Sequence, residues 1–272
     1  MKNQIYEAFR QLHTKHVVMF SGGAGSWAAA KRVIAQRGRR NVILLFADTL
    51  IEDPDLYRFL EDAEKNMGVP ITRISDGRTP WQVFEDVRFI GNSRVDPCSL
   101  HLKRALLDKW RDDNLDPERA VIYVGLGWYE PGRVERLLSR MAATPWTYRC
   151  PMAEGELLDP ADVLARMEAE GIRRPRLYEM GFSHNNCGGF CVKAGQAHFA
   201  LLLQKKREYY LFNEAEELRL RGLGINGTIL SDRRGDGKKK PMTLRDFRLR
   251  LEKDAAAFDC NDVGGCGCAI DT

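Results

Sequence analysis

Seven cysteines are the side chains most able to do chemistry in this chain: Cys98, Cys150, Cys187, Cys191, Cys260, Cys266 and Cys268. Five of the seven crowd into two glycine-rich segments, NNCGGFC at 185–191 and DCNDVGGCGC at 259–268. Glycine there lets the backbone fold tightly around something that several sulfurs approach together. The count is odd, and the N-terminus (MKNQIYEAFRQLHTKH) is polar and mixed in charge, unlike a signal peptide. Both features argue against a disulfide framework and for a reducing, cytoplasmic setting. Metal or redox work is the leading reading of the thiols. Structural zinc also takes four thiolates, but its CxxC spacing is replaced here by CxxxC and CxC. Cys150, beside Pro151, reads as a small buried hydrophobe. His184, next to Asn185-Asn186, is a candidate ligand or proton donor, with surface hydrogen bonding as the plainer expectation.

A second group with chemical meaning is Ser21-Gly22-Gly23-Ala24-Gly25-Ser26. It lies between an apolar run, His16 to Phe20, and a helical stretch, WAAAKRVIAQR. Three glycines permit backbone N–H groups to approach an anion closely, and a helix N-terminus adds a favourable dipole. The hydroxyls of Ser21 and Ser26 can add further hydrogen bonds. The loop has neither the Gly-Lys-Ser/Thr ending of a P-loop nor the GxGxxG dinucleotide fingerprint.

These groups need a scaffold, and the chain is long enough for one. It has 272 residues, of which 44% are hydrophobic and 29% charged, as expected of a globular protein with a real core. No apolar run approaches the ~18 residues of a membrane span. Apolar runs at 16–20, 41–47, 71–74 and 121–126 read as strands. Residues 55–67 show helical spacing closed by Gly68, and 81–89 and 99–111 also read as helices. Alternating strands and helices give βαβ units and a parallel sheet with helices on both faces, with ligands expected at the carboxyl ends of the strands. Residues 1–150 form that α/β core. Residues 151–272, with helices at 160–170, 195–221 and 243–257 and a loop at 232–240, read as a helical, cysteine-rich extension packed on it.

The net charge of +4 announces no nucleic-acid partner by itself. Arg233, Arg234, Lys238, Lys239 and Lys240 nevertheless form a dense basic run among glycines, able to meet phosphates or simply to face solvent.

The motifs in order resemble the PP-loop (HUP-like) adenine nucleotide α-hydrolase superfamily, and within it the phosphoadenylyl-sulfate (PAPS) reductase branch. SGGAGS looks like the SGGxDS pyrophosphate loop. Phe46-Ala47-Asp48-Thr49, with Glu52, Pro54 and Tyr57 behind it, resembles the branch's Asp-Thr segment. Cys98-Ser99-Leu100-His101-Leu102-Lys103 resembles its cysteine followed by Leu-Lys. Arg176 to Phe182, leading to Cys187 and Cys191, resembles its Leu-Tyr-x-x-Gly-Phe stretch before a cysteine pair.

The resemblance implies an adenine nucleotide, ATP or a sulfonucleotide, across the strand ends, with Mg²⁺ as a companion ion. Its phosphates would meet Ser21, Gly22, Gly23, Gly25 and Ser26, with Asp48 and Thr49 beside the adenosine and Lys103 reaching the negative groups. It also implies a [4Fe–4S] cluster, with zinc as the alternative, on Cys98, Cys187, Cys191 and a tail cysteine, Cys268. Cys266 or Cys268 would then be left as nucleophile or sulfur carrier, its thiolate favoured by a neighbouring cluster or Lys103. Two departures stand out. Gly25 occupies the place of the loop aspartate, and the tail reads VGGCGCA where reductases of the branch carry Glu-Cys-Gly-Leu-His.

Three readings follow. The first is an enzyme of sulfur transfer or sulfonucleotide chemistry, whose acceptor could be a nucleic acid. The second is a reductase of phosphoadenylyl or adenylyl sulfate fed by a thioredoxin-like donor. The third is a non-catalytic nucleotide or cluster sensor.

Overall fold

The computed structural model describes residues 13–232, 239–262 and 264. Five parallel strands form one sheet in the order β3-β2-β1-β4-β5: β1 (Lys15–Met19), β2 (Val42–Asp48), β3 (Ile71–Ser75), β4 (Ala120–Val124) and β5 (Thr147–Arg149). The register is continuous across the centre, with Val17 beside Ile43 on one side and Ile122 on the other. Central strands buried on both faces must be apolar throughout, which is why the runs at 16–20 and 41–47 are unbroken.

Each crossover is a helix. α1 (Ala24–Arg37) follows β1, α2 (Pro54–Met67) follows β2, and α3 (Pro80–Asp86) follows β3. α2 shows how sequence sets an element. The Asp53 carboxylate caps the Asp55 N–H, Pro54 fills the first turn, and Gly68 ends the helix in a left-handed conformation at φ 62°. Its stripe of Leu56, Phe59, Leu60, Ala63 and Met67 is buried against the sheet together with Trp27 and Val33 of α1. Val163 and Met167 of α6 (Pro160–Ala169) join the same cluster. On the opposite face Val17, Leu45 and Ile122 meet Leu107 and Trp110 of α4 (Leu106–Asn114). The sheet is thus covered on both sides, as the βαβ pattern requires.

A second core lies beyond the sheet. Trp81 and Phe84 of α3 pack with Phe190, with Phe199 of α7 (Gln196–Lys205), with Tyr210 of α8 (Arg207–Gly222) and with Phe247 of α9 (Leu244–Lys253). The later helices are therefore anchored through α3, while α6 belongs with the sheet. No described helix is long and apolar enough to cross a membrane.

Several elements differ from the sequence expectation. The helix expected at 99–111 begins as a turn at Pro97–Ser99 and passes through a π-helical turn, Leu100–Ala105, before α4. Such turns widen the helix locally, with i→i+5 hydrogen bonds, and recur at functional sites. The helix expected at 195–221 breaks at Lys206 (φ −139°), giving α7 and α8. The basic segment is flanked by two antiparallel strands, β6 (Leu230–Asp232) and β7 (Lys240–Met242), and its residues 233–238 lie outside the described residues. Strand β5 and α5 (Pro131–Met141) were not expected at all.

Candidate nucleotide cavity and thiol pocket

In the order 3-2-1-4-5 the chain leaves β1 toward β2 and returns on its other side at β4, so the crevice beyond their carboxyl ends is the topological switch point. A cavity of about 850 Å³ opens there, within the range of ligand sites. Ser21, Gly23, Gly25 and Ser26 line it from the β1–α1 loop, and Gly125 and Leu126 line it from the end of β4.

The loop is built by its glycines. Gly22 turns at φ +75°, the left-handed region that disfavours side chains, with Leu56 packed where a Cβ would stand. Its carbonyl accepts a hydrogen bond from the Asn185 amide at 3.0 Å. Ser26 folds back on the loop: its hydroxyl donates to the Gly23 carbonyl at 2.8 Å and accepts from the Gly23 N–H at 3.3 Å. Ser21 in turn donates to the Ser26 oxygen at 3.3 Å. The two hydroxyls therefore brace the loop. The Ala24 N–H donates to the Tyr178 hydroxyl at 3.2 Å, tying the start of α1 to the 176–182 segment.

Gly25 has a steric reason. A Cβ there would lie 2.9 Å from the Gly125 carbonyl oxygen, and one on Gly125 would lie 2.7 Å from the Gly25 oxygen. The β1 and β4 loops meet backbone to backbone at the switch point, so an aspartate at position 25 would collide with β4.

Cys98, far away in sequence, joins Cys187 and Cys191 in lining a single adjoining pocket, with Thr49, Asp96, Lys103 and Lys193. The void is about 20 Å³, room for about one water. Cys187 takes φ +54°, a left-handed conformation that costs a non-glycine residue about 1–2 kcal/mol. It is held there from two sides. The buried Glu52 carboxylate accepts the Cys187 N–H, and the Tyr209 hydroxyl donates to the Cys187 carbonyl at 3.2 Å. Glu52 also accepts from the Thr49 hydroxyl at 2.8 Å and faces the Lys103 ammonium at 3.8 Å. Asp96, equally buried, faces Arg104 at 3.8 Å and Lys193 at 3.9 Å. Asp96, Lys103 and Lys193 thus share the pocket wall with the thiols, while Glu52 pairs with Lys103 and Arg104 with Asp96. Lys103, carried by the π-helical turn, is in the wall of both cavities.

The remaining expected residues fall as follows. Asp48 accepts from the Leu50 N–H and the Tyr57 hydroxyl, both at 2.9 Å; it shapes the turn after β2 and is not among the residues lining either cavity. Thr49 stands with the thiols instead of the glycine loop. Burial pushes the Cys150 thiol up to about 12, which suits an inert core residue. Cys260 is exposed. His184, expected at the surface, lines the large cavity. Cys266 and Cys268 lie outside the described residues. The chain ahead of them docks on α7: Asp262 accepts from the N–H groups of Gln196 and Ala197, and Gly264 bridges to Ala194 and lines the large cavity. Among the described residues, no three His, Cys, Asp or Glu side chains group around one metal-ion position.

Sequence reasoning missed Gly125, Asp96 and Lys193. The Gly-Leu-Gly after the fourth strand was a usable signal for the first, because a glycine at a strand end marks close backbone approach. The buried charges carried none, since their partners are brought in by the fold.

No protein-family model matches the sequence, and no curated protein matches it. Among solved structures the chain is similar to phosphoadenylyl-sulfate (PAPS) reductase from Candida auris in its phosphate complex. The two share 13% identity at a TM-score of 0.42, covering 63% of this chain and 79% of that one.

Proposed function

We propose that the chain is an enzyme of sulfur transfer or sulfonucleotide chemistry that works on an adenine nucleotide. The nucleotide occupies the cavity at the switch point, its phosphates on the loop at the N-terminus of α1, where backbone N–H groups and the helix dipole favour an anion. The observation that carries this reading is Lys103, which is in the wall of both the glycine-lined cavity and the thiol pocket. A cation in that place neutralises phosphate or sulfonate charge on one side and favours a thiolate on the other.

The thiol pocket is the proposed cluster site. Cys98, Cys187 and Cys191 supply three thiolates, and Cys266 or Cys268 the fourth. The three described sulfurs share one pocket whose void of about 20 Å³ holds about one water, so binding a cluster there requires its walls to part. When bound, an iron–sulfur cluster would supply electron transfer. The chain's own residues do the rest: Glu52 fixes the Cys187 backbone, the two lysines balance the thiolates, and the glycine loop orients the nucleotide.

One observation favours the reductase reading within this class. Gly25 is packed against Gly125, so the loop offers no carboxylate to a magnesium ion, which cleavage of ATP between its α and β phosphates would use. A thioredoxin-like dithiol would then be the electron source. The test is a nucleotide panel on anaerobically purified protein. Sulfite from a sulfonucleotide supports the reductase, AMP and pyrophosphate from ATP support sulfur transfer, and tight binding without turnover of either supports a sensor.

A further inference from the structure

His184 belongs to the cavity wall, and its surroundings define what it can do there. Its ring stacks on His198 of α7, with centroids 5.1 Å apart and planes 18° from parallel. Behind them Phe182 packs edge-on against His198 at 5.1 Å. His198 donates through Nε2 to the Gly189 carbonyl at 2.7 Å, since a carbonyl can only accept. Burial holds the His198 pKa below its ordinary value, so the ring behind His184 stays neutral and adds no competing positive charge.

The Asn186 N–H donates to Nδ1 of His184 at 3.4 Å. With Nδ1 accepting, the neutral imidazole carries its proton on Nε2, and Nε2–H is a donor. The segment bearing this ring is tied directly to the glycine loop. Asn185, the next residue, donates to the Gly22 carbonyl at 3.0 Å, and Tyr178 accepts from Ala24 at 3.2 Å. Adjacent Cα atoms are about 3.8 Å apart, so the backbone of His184 sits within one residue of the loop's latch. Gly23, Gly25 and His184 line the same cavity.

We propose that His184 is an oxyanion contact: its Nε2–H donates to a phosphate or sulfate group of a ligand seated on the glycine loop. His198 and Phe182 hold the ring in place from behind. The anion is then gripped from two sides, by backbone N–H groups of the loop and by the imidazole opposite. This inference rests on the reading of the cavity as a nucleotide site, and the experiment separates the two.

Binding of ATP, inorganic pyrophosphate, inorganic sulfate and adenosine is measured by calorimetry for the wild-type chain, His184→Phe and His184→Ala. Phenylalanine preserves the stack on His198 and removes the donor. Both variants are expected to bind ATP and pyrophosphate about tenfold to a hundredfold more weakly, the worth of one hydrogen bond to a charged group, with adenosine unaffected. Sulfate binding lost in parallel would identify any tetrahedral oxyanion as the ligand group, and sulfate binding unchanged would restrict it to phosphate. In a nitrogen NMR spectrum of the imidazoles, pyrophosphate should shift the His184 Nε2 signal of the wild-type chain. Wild-type affinity for pyrophosphate in His184→Phe overturns the inference alone, as does an equal loss of adenosine binding, which marks a structural or base-stacking role. If the wild-type chain binds none of the probes, the nucleotide reading falls first and this inference with it.

Discussion

Replacing Gly125 with alanine puts a methyl carbon 2.7 Å from the Gly25 oxygen and 2.8 Å from the Gly25 carbonyl carbon and the Ser26 Cα. All three atoms are backbone, so no flexible side chain can yield. Restoring ordinary contact at 3.4 Å requires the end of β4 and the start of α1 to part by about 0.7 Å. Overpacking of this kind costs about 1–3 kcal/mol. For a chain of this size that is a fall in Tm of roughly 2–4 °C per kcal/mol. The same movement carries the α1 N–H groups away from a bound anion. A shift of about 0.7 Å stretches a 2.9 Å hydrogen bond to about 3.6 Å, where little of it is left. Gly125→Ala should therefore lose both stability and nucleotide affinity, the latter by about tenfold or more. Urea melts and calorimetric titration with ATP measure the two effects. Gly222→Ala is the control, because a Cβ at that position near the end of α8 meets nothing within 4 Å. It should be neutral or stabilise by up to about 1 kcal/mol. If Gly125→Ala melts and binds like the wild-type chain, the close approach of the two loops has been misread.

Lys103→Met removes the cation in the wall of both cavities and leaves the buried Glu52 carboxylate without its neighbour at 3.8 Å. Nucleotide affinity should fall about tenfold or more and thermal stability should drop; an unchanged titration argues that Lys103 serves the thiol pocket alone. Glu217, fully buried on α8, accepts the N–H groups of Ile229 and Leu244, and burial pushes its pKa up to about 7. The folded chain then binds more protons than the unfolded one between pH ~4.5 and ~7, so stability should decline by up to about 3 kcal/mol as pH rises through that window. Glu217→Gln should flatten this slope and, having one acceptor oxygen for two N–H groups, melt below the wild-type chain at pH 5; melts across pH 4.5–8 check both. Anaerobic purification should yield brown protein with about four irons per chain, and colourless protein carrying one zinc would remove the cluster from the account.

The three inner strands, β1, β2 and β4, were legible because a strand buried on both faces has no choice but an unbroken apolar run, while the edge strand β3 gave only the weaker pattern of Ile71 to Ile74. β5 was not, because Thr147–Arg149 is a short edge strand whose threonine and arginine face outward and leave no apolar pattern. The π-helical turn at Leu100–Ala105 preserves helical apolar spacing, so Lys103 looked like one more helical residue. The break at Lys206 carries neither glycine nor proline; it is set by the ammonium group reaching Asp53 and the Gly188 carbonyl, both at 2.7 Å. At the site, the glycine loop could be read from residue type, whereas grouping Cys98 with Cys187 and Cys191 needed the resemblance of their segments to a known family. Glu52 as the keeper of Cys187, Asp96 beside Lys193, and His184 in the cavity wall depend on contacts between segments that only folding brings together. Asp48 shows the converse. It looked functional at a strand end, yet its carboxylate holds its own turn and Tyr57.

Titration of anaerobically prepared chain with ATP and with phosphoadenylyl sulfate, beside a Gly22→Val variant that folds, bears most directly on the account. The wild-type chain should saturate at one nucleotide per chain, and the variant, forced out of φ +75°, should not bind. Equal binding by both, or none by the wild-type chain, would contradict the assignment of the switch-point cavity to a nucleotide.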